Sequence, residues 1–475
     1  MRVLLIFPPN IHVIDPFQRT RMKSLSWVIS FPIGLGYLAA VLEKNGFEVT
    51  LYNTCSGEEF TAEMIRKRII DSRPDVVGIS VYTALAKTAV AVARMAKEIN
   101  PGVKVVMGGP HATYDHENLL KHYPVDFVVL GEGEMGFLEL LKKVRDKKND
   151  FESVKGIAFL RGKVLTTEKR SRIEDLDALP FPARHLVDFK KCIKNELLPN
   201  AVSIMTSRGC THSCAFCSLT HFFGRWKPRS PQNVVNEMKH LLKTYDGIKS
   251  FQFYDDNFTC DRNRVIELCN LMVTNGLHKF KWNCLARADQ VDPQILKLMK
   301  KAGCEKVSFG VESGSPDILK NIHKGISLEI VKSAFEVASQ AGIEALGFFI
   351  IGNPGETPGT IRKTLRFAKR LKSTSTLWTI AQIFPGTEFA RRMPQSDFTK
   401  YLYEPEINRP YPFLHPCVPV FEQPGLDREK LKKIHASLVR RFLIWHSLGN
   451  FRTYLKHFCR SPINSLKYAF SLFKN

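Results

Sequence analysis

The sequence Cys210-Thr211-His212-Ser213-Cys214-Ala215-Phe216-Cys217 places three cysteines at C-x3-C-x2-C spacing, directly after the strand-like run Ala201–Thr206. Thiolates are soft ligands that suit iron–sulfur clusters, zinc and copper(I). A cluster of four irons is ordinarily held by four cysteines, so a run of three leaves one iron without a protein ligand. An open metal position is where a substrate can bind. The alternative is a structural zinc site with His212 as the fourth ligand.

The chain after residue 200 alternates between short apolar runs and helical stretches. The predicted strands are Ala201–Thr206, Ser250–Tyr254, Lys281–Leu285, Lys306–Gly310, Ala345–Ile351 and Leu377–Ile383. The predicted helices are Pro231–Thr244, Arg262–Asn275, Pro293–Ala302, Leu328–Gln340 and Thr357–Leu371. Six strand–helix units favour a partial (βα)6 barrel of the TIM type over residues 201–390. Chemistry in such barrels lies at the carboxyl ends of the strands, which is where the cysteines stand.

Polar or glycine-rich motifs follow the later strands as well. They are Asp255-Asp256, Ala286-Arg287-Ala288-Asp289, Gly310-Val311-Glu312-Ser313-Gly314 and Gly352-Asn353-Pro354-Gly355-Glu356-Thr357. Taken singly, each motif can be explained by a structural role without any function. The aspartates suit a helix cap, and Arg287 has Asp289 as an ion-pair partner. The succession of motifs, rather than any one of them, therefore indicates a functional site.

Residues 1–150 show a second α/β alternation. The predicted strands are Arg2–Phe7, Glu48–Tyr52, Asp75–Val81, Lys104–Met107 and Asp126–Leu130, with helices Leu35–Asn45, Phe60–Ser72, Ala84–Ile99 and Glu134–Lys147 between them. Five strands predict a flavodoxin-like, Rossmann-like doubly wound sheet, in which a ligand binds beyond the carboxyl ends of the strands. Neither a G-x-G-x-x-G dinucleotide fingerprint nor a Gly-Lys-Ser/Thr phosphate loop occurs there.

This order of motifs over residues 1–390 resembles the radical S-adenosylmethionine (SAM) enzymes that carry an N-terminal cobalamin-binding domain. The family includes the class B methyltransferases and the anaerobic magnesium-protoporphyrin monomethyl ester cyclases. The resemblance implies a [4Fe-4S] cluster on Cys210, Cys214 and Cys217, whose open iron chelates SAM and cleaves it to a 5′-deoxyadenosyl radical. It also implies cobalamin as a third cofactor.

The resemblance assigns further residues to the cofactors. The implied SAM contacts are Asp255, Asp256, Arg287, Glu312, Ser313, Gly352 and Gly355. The implied cobalamin contacts are Ser80, Thr83, Gly108, Gly109 and Glu132. One feature departs from the best-known cobalamin motif, Asp-x-His-x-x-Gly. At the position expected for this motif, after the second predicted strand, the sequence is Asn53-Thr54-Cys55-Ser56-Gly57. It contains no histidine to bind cobalt from below.

The function that the resemblance implies is methylation of an unactivated carbon in a small or lipid-like metabolite. One SAM is cleaved to abstract a hydrogen atom, and another methylates cobalamin, which passes the methyl group on. The first alternative is a cyclase-like enzyme that forms a ring without transferring methyl. The second is a corrinoid- or SAM-binding sensor without turnover, suggested by the missing histidine. A methylthiotransferase of transfer RNA is disfavoured, because only Cys55 precedes Cys192.

Composition and charge indicate how many domains the chain can form, which compartment suits it and what kind of partner it can bind. The chain has 475 residues with 44% hydrophobic content, enough for two or three cored domains, and eleven cysteines without an export signal, which suits a reducing cytoplasm. No apolar run is long enough to predict a membrane-spanning helix. The net charge of +23 fits solvated basic faces or an anionic partner, although nucleic acid is disfavoured. An external electron donor, flavodoxin or ferredoxin, is the expected protein partner.

Two segments lie outside the α/β alternation. Residues 151–200 predict a linker with a small hairpin, Ile157–Leu160 and Lys163–Thr167, around Arg161-Gly162. Residues 391–475 predict a basic, mostly helical extension with an amphipathic helix over Asp427–Ser447. The simpler interpretation of this extension is a helical cap on the barrel. The sharper one is a substrate-binding element, or a peripheral contact with the inner face of the membrane.

Overall fold

The computed structural model describes residues 1–9, 31–54, 61–193, 198–392, 423 and 425–449, with side chains in the last helix described as far as Phe442. The first sheet contains β1 (Arg2–Phe7), β2 (Glu48–Asn53), β3 (Val76–Ser80), β4 (Lys104–Gly108) and β5 (Phe127–Val129). These strands are parallel in the order β2-β1-β3-β4-β5. The predicted flavodoxin-like domain is therefore confirmed.

Helices cover both faces of this sheet. They are α1 (Ile33–Lys44), α2 (Ala62–Ser72), α3 (Ala86–Ile99), α4 (Pro110–His122) and α5 (Gly133–Arg145). Leu4 and Ile6 of β1 pack in the core beneath α2 and α3, whereas Val3 and Leu5 pack in the core beneath α1 and α5. Because alternate side chains point to opposite faces and both faces are buried, β1 reads as a continuous apolar run.

A hairpin extends this sheet beyond the five parallel strands. Strands β6 (Ile157–Arg161) and β7 (Lys163–Thr166) pair antiparallel, and β6 pairs antiparallel with β5. Gly162 has a φ of +71°, which a tight hairpin turn requires. Ile157, Ala158 and Phe159 are buried in the cores of the first domain. The predicted hairpin is thus present, but it is the antiparallel edge of the first sheet rather than part of a free connector.

The second sheet has six parallel strands in chain order. From the amino end, the elements of this part are α6 (Phe189–Cys192), β8 (Ala201–Ile204), β9 (Ser207–Arg208), α7 (Leu219–Phe223), β10 (Lys227–Pro228), α8 (Pro231–Thr244), β11 (Ser250–Phe253), α9 (Arg262–Thr274), β12 (Lys281–Ala286), α10 (Pro293–Lys301), β13 (Cys304–Glu312), α11 (Pro316–Asn321), α12 (Leu328–Gln340), β14 (Glu344–Ile351), α13 (Pro358–Arg370), β15 (Ser375–Ile380) and α14 (Glu388–Arg391). The sheet runs β15-β14-β13-β12-β11-β8, and β9 pairs only with β10. Among the described strands β8 and β15 are the two edges, as the predicted partial (βα)6 barrel requires.

Alternate residues along the barrel strands separate the outer core from the interior. In β14, Ala345, Phe349 and Ile351 are buried in the main core with the outer helices, whereas Leu346, Phe348 and Ile350 alternate with them and are half-buried. The outer helices therefore form one large apolar core with the sheet, and the opposite face of the strands lines a partly open interior.

The last described helix, α15 (Arg428–Gly449), packs on the edge of the barrel beside α13 and β15. Leu431, Leu438 and Phe442 belong to the main core, and His435 Nε2 donates to the carbonyl oxygen of Trp378 over 2.9 Å. Over the described residues 425–449, this packing agrees with the interpretation of a helical cap on the barrel. No helix in the described ranges is long and apolar enough to cross a membrane. The remaining predictions for residues 393–422 and 450–475 fall outside the description.

Candidate active site

The cysteine loop begins with a tight bend after β9. Gly209 has a φ of +79°, and a Cβ at this position would lie 2.5 Å from the carbonyl oxygen of Gly224, so only glycine fits. Two backbone hydrogen bonds hold the middle of the loop, from Ala215 N to Ile322 O at 3.0 Å and from Phe389 N to Ala215 O at 3.2 Å. The loop is therefore fixed between the segments that follow β13 and β15.

The three predicted ligands are free thiols on this loop. A hydrogen bond from the Cys260 thiol lowers the pKa of Cys210 to about 5, against the effect of burial. Burial raises the pKa of Cys214 and that of Cys217. Asn257 Nδ2 and Thr220 Oγ1 point at the sulfurs of Cys210 and Cys217 over 4.0 and 3.9 Å. Of the three thiols on the loop, Cys210 is therefore the one whose surroundings favour the thiolate.

This donor set fits an iron–sulfur cluster. Within the described ranges, no three His, Cys, Asp or Glu side chains converge as the ligands of one metal ion do. Thiolates of a cluster bind separate irons, so the three sulfurs do not have to meet at a point. Cys210, Cys214 and Cys217 are the residues that would hold the cluster, and they leave its fourth position to another ligand.

The two adjacent aspartates have different surroundings. Asp255 is fully buried and accepts hydrogen bonds from Thr206 N (2.6 Å), Thr206 Oγ1 (2.5 Å) and Ser207 Oγ (2.7 Å), so it joins β11 to the β8–β9 junction. Asp256 is half-buried and accepts from Gly209 N at 3.0 Å. Burial, followed by the charges of Asp255 and Cys210, raises the pKa of Asp256 to about 7. Of the two, only Asp256 contacts the cysteine loop.

Two ion pairs lie near Cys214, and the second of them is buried. Arg287 donates two hydrogen bonds, of 3.0 and 2.9 Å, to the carboxylate of Asp289. This is the ion pair that was the simpler explanation of the Ala286-Arg287-Ala288-Asp289 motif. Glu312 accepts from Lys324 Nζ at 2.8 Å, and both side chains are at least nine-tenths buried. Lys324 and then Glu312 influence the pKa of the Cys214 thiol through their charges, so the pair lies close to the sulfur. Lys324 lies in none of the motifs that the sequence displays at the strand ends.

Glu312 has an unusual backbone conformation. Its φ is +66°, which side-chain-bearing residues rarely adopt, and the pairing of β13 with β14 shifts register between Gly310 and Glu312. A Cβ on Gly310 would lie 2.5 Å from Glu312 Oε1 and 2.7 Å from Lys324 Nζ. Glycine at 310 therefore makes room for the ion pair, and the strained backbone aims a carboxylate at the end of the strand.

The other predicted SAM residues contact neighbouring loops and helices. Ser313 Oγ lies 3.1 Å from Thr364 Oγ1 of α13. A Cβ on Gly352 would lie 2.6 Å from Leu431 Cδ2 of α15, and one on Gly355 would lie 2.8 Å from Asn321 Nδ2. These residues lie at the predicted strand ends. Their contacts in the structure are with neighbouring helices and loops, so they help to hold the loops in place. Their role in binding SAM stays a prediction, as does that of Asp255.

Glu356, in the loop after β14, provides a pH-dependent stability prediction. Burial raises its pKa to about 8, although the backbone N–H groups of Asn353 and Gly352 oppose the shift. The folded chain thus keeps a proton that the unfolded chain releases near pH 4.5. Stability should fall as pH rises between these values, by up to about 1.4 kcal/mol per pH unit. Glu356→Gln should flatten this fall, measured as unfolding free energy against pH.

The control for this prediction is Glu98→Gln, which changes an exposed carboxyl on α3. It should leave the pH dependence of the parent protein unchanged. Parallel curves for Glu356→Gln and the parent would show that Glu356 is charged in the folded state, and the predicted shift would then be wrong.

Four of the predicted cobalamin residues meet at the carboxyl ends of β3 and β4. Gly109 has a φ of +99°, and a Cβ there would lie 3.0 Å from the carbonyl oxygen of Val81 and 3.6 Å from Ser80 Oγ. Thr83 Oγ1 lies 3.4 Å from His111 Nδ1. At Gly108, a Cβ would find only an ordinary contact, 3.6 Å from the carbonyl oxygen of Val129. Gly109 therefore needs to be glycine, whereas Gly108 does not.

Glu132, the fifth predicted cobalamin residue, binds the other domain instead. Its carboxylate accepts from Arg208 Nη1 at 2.7 Å and from Ile173 N at 2.9 Å, and Arg208 Nη2 donates to Glu134 at 2.6 Å. All three charged side chains are more than nine-tenths buried. Arg208 immediately precedes the bend of the cysteine loop, so this cluster joins the strand ends of both sheets. Arg208 was not among the predicted site residues.

The two sets of strand ends face each other. Tyr82 follows β3, and burial and then the charge of Asp256 in the second domain raise its pKa. The residue as a whole nevertheless remains 46% exposed, as expected for a wall of a cleft. Nearby, a Cβ on Gly386, after β15, would lie 2.6 Å from the ring of Tyr114 of α4. The first sheet thus presents its predicted ligand edge to the cysteine loop.

Two family models match the sequence, the B12 binding domain over residues 28–141 and the Radical SAM superfamily over residues 204–368. An uncharacterized methyltransferase of Pyrococcus horikoshii is 36% identical over 82% of this chain and 82% of its own length. The anaerobic magnesium-protoporphyrin IX monomethyl ester cyclase of Rubrivivax gelatinosus is 29% identical over 87% of this chain and 74% of its own length.

The fold also matches a solved structure, that of the radical SAM methyltransferase TsrM from Kitasatospora setae with cobalamin and a [4Fe-4S] cluster bound. The TM-score is 0.68 at 20% identity, covering 83% of this chain and 78% of that one. The Radical SAM match spans the cysteine loop, which supports the iron–sulfur interpretation of that loop over the zinc alternative. The chain belongs to the cobalamin-binding radical SAM enzymes, whose cofactors are a [4Fe-4S] cluster, SAM and cobalamin.

Proposed function

We propose that the protein methylates an unactivated carbon of a small or lipid-like metabolite. The observation that carries this proposal is the meeting of the two strand-end edges through Arg208, Glu132 and Glu134. This contact turns the edge expected to bind cobalamin toward the loop expected to bind the cluster. The relative that is 36% identical is named a methyltransferase, which supports the same reaction class.

The protein's own part in the reaction is to bind and to orient. When bound, the cluster and SAM supply a 5′-deoxyadenosyl radical, and cobalamin carries the methyl group. Cys210, Cys214 and Cys217 would hold the cluster, and the Glu312–Lys324 pair holds a carboxylate beside it. Asp256, with a pKa of about 7, can accept or release a proton on the cleft wall opposite Tyr82.

The accessible side chains at the facing edges bear on the substrate. Tyr82 of the first domain is 46% exposed, and Tyr254 and Leu285 of the second are 40% and 37% exposed. Ligand sites are lined mainly by apolar and aromatic side chains with a few polar groups. These three residues together with Asp256 support a substrate that has an apolar part and a hydrogen-bonding group.

The test is transfer of a labelled methyl group. Anaerobically reconstituted protein with cobalamin, reductant and deuterated-methyl SAM would be incubated with cell extract, and products would be analysed by mass spectrometry. The expected result is a product that gains the labelled methyl and depends on the intact cysteine loop. If 5′-deoxyadenosine forms in a substrate-dependent way and no label is transferred, methylation is wrong.

Ring formation is the second candidate function, favoured by the 29% identity to a magnesium-protoporphyrin monomethyl ester cyclase over most of both chains. It requires the same cofactor-binding edges, so the label experiment decides between the two. A sensor without turnover would form no 5′-deoxyadenosine in that experiment. The electron donor, flavodoxin or ferredoxin, and the cytoplasmic location stay predictions.

A further inference from the structure

Helix α4 buries a histidine and an aspartate one turn apart. The side chain of His111 is fully buried, that of Asp115 is 6% exposed, and His111 Nε2 lies 3.5 Å from Asp115 Oδ2. Asn118 Nδ2 donates to the same oxygen at 3.1 Å. Polar side chains are unfavourable out of water unless they are hydrogen-bonded, and an apolar pair would serve a purely structural helix without this requirement. The buried pair therefore calls for a functional explanation.

The helix is distorted at Asp115. The residue has a φ of −118° and a ψ of 19°, which is not helical geometry, although α4 continues on both sides of it. A kink inside a helix has an identifiable local cause, and breaks of local regularity are expected at functional sites. The contacts at this break include those of Asp115 with His111 and Asn118. Helix α4 thus gives up regular geometry at the residue that holds His111.

The other ring nitrogen of His111 reaches the carboxyl ends of β3 and β4, the predicted cobalamin edge. His111 Nδ1 lies 3.4 Å from Thr83 Oγ1, and Thr83 is half-buried just after β3. The backbone fixes the approach, because His111 N donates to the carbonyl oxygen of Val81 at 3.1 Å. A continuous polar chain therefore runs from Asp115 through His111 to the hydroxyl of Thr83.

The donors and acceptors along this chain have a defined direction. A carboxylate can only accept, so a neutral imidazole carries its proton on Nε2, toward Asp115. His111 Nδ1 then offers a lone pair, and the hydroxyl of Thr83 donates to it. The lone pairs on the Thr83 oxygen are left for a donor from outside the chain. Amide N–H groups are donors of this kind, and cobalamin carries several amide side chains around its corrin ring.

We propose that His111, held by Asp115, is a positioning residue that presents the oxygen of Thr83 to an amide N–H of bound cobalamin. Thr83 contacts the cofactor, whereas His111 and Asp115 act through Thr83. An acceptor that is fixed before binding loses less conformational freedom when the ligand arrives. The proposal concerns cobalamin binding alone. It holds whether methyl transfer or ring formation follows, so a negative result with labelled methyl groups would leave it intact.

The test is equilibrium dialysis of the full chain against hydroxocobalamin, without SAM and without turnover. His111→Leu and Thr83→Val should each weaken binding about tenfold, the effect of one hydrogen bond. The double variant should also be weakened only about tenfold, because both changes remove the same contact. His111→Asn should recover most of the affinity, since its δ-oxygen can accept from Thr83 in place of Nδ1.

The comparison of leucine with asparagine at position 111 separates positioning from folding. The two side chains have nearly the same shape, and both lose the contact with Asp115. They differ in whether Thr83 keeps an acceptor. Equal losses of affinity in His111→Leu and His111→Asn would show that His111 only supports the fold, and the proposal would be wrong. Urea unfolding of both variants should give similar midpoints.

The matched control is His116→Leu. His116 belongs to the same helix, and its Nε2 lies 3.3 Å from Thr166 Oγ1 of β7, away from the carboxyl ends of β3 and β4. This variant should bind hydroxocobalamin like the parent. The proposal is overturned if the double variant at 83 and 111 binds about a hundredfold more weakly, because the two residues would then act independently. A parent protein that does not bind hydroxocobalamin would overturn it as well.

Discussion

Replacing Cys214 with alanine is expected to abolish SAM cleavage. Cys214 is the most deeply buried of the three cysteines on the loop, and backbone hydrogen bonds at Ala215 hold its neighbourhood rigidly. Without this thiolate, two cysteines are left for a cluster that needs three from the protein. Iron and sulfide per chain should fall well below those of the parent, the cluster's visible absorbance should be lost, and 5′-deoxyadenosine should drop to background.

Cys269→Ala is the control for this prediction. Cys269 is fully buried in α9 and packs in the main core as a small apolar residue. Its replacement should cost some stability but leave the iron content and the cleavage rate near those of the parent. A Cys214→Ala protein that retains full iron and full cleavage would place the cluster elsewhere and contradict the site described here.

Replacing Arg208 with methionine is expected to have the largest effect on stability. The guanidinium holds Glu132 and Glu134 in a buried cluster, and its pKa is raised because these carboxylates outweigh the opposing effect of burial. Removing it would leave two carboxylates buried without their cation, at a cost of about 3–5 kcal/mol. Urea unfolding of the reduced, cofactor-free protein measures this loss as a shift in midpoint.

Two variants make the Arg208 result specific. Arg66→Met breaks an exposed ion pair with Glu98 within the first domain and should cost less than about 1 kcal/mol. Adding Glu132→Gln and Glu134→Gln to Arg208→Met should recover part of the loss, because no uncompensated charge would remain. If Arg208→Met is no more harmful than Arg66→Met, the strand-end edges are not held together by this cluster.

The sequence predicts most of the fold because each strand of a parallel sheet is marked by the pattern of apolar residues within its own short segment. The strands of the first sheet are buried on both faces and appear as continuous apolar runs, and the six barrel strands start and end within a few residues of their predicted bounds. The cysteine motif is equally local, since its three predicted ligands fall within eight residues. The hairpin β6–β7 was found, but its pairing with β5 is a tertiary choice that local turn chemistry does not specify.

The parts that escaped prediction depend on distant partners. Arg208 meets Glu134 across 74 positions, and Asp255 receives its hydrogen bonds from residues nearly 50 positions away. A sequence shows Asp255 as a carboxylate at a strand end, but not whether that carboxylate is already satisfied. The positive φ of Glu312 is also invisible, because a glutamate gives no signal of left-handed backbone. The one available signal for Arg208 was its position next to Gly209-Cys210.

The cysteine loop has its partners far downstream, and this sets an order of events during synthesis. Ala215 is held by Ile322 and by Phe389. At about 5–20 residues per second, a ribosome needs on the order of ten seconds or more to reach Phe389 after making the loop. Throughout that interval the three thiols belong to an unfinished chain. A cluster held by a loop that needs both partners would therefore enter late in the life of the nascent protein, and oxygen encountered earlier would act on bare cysteines.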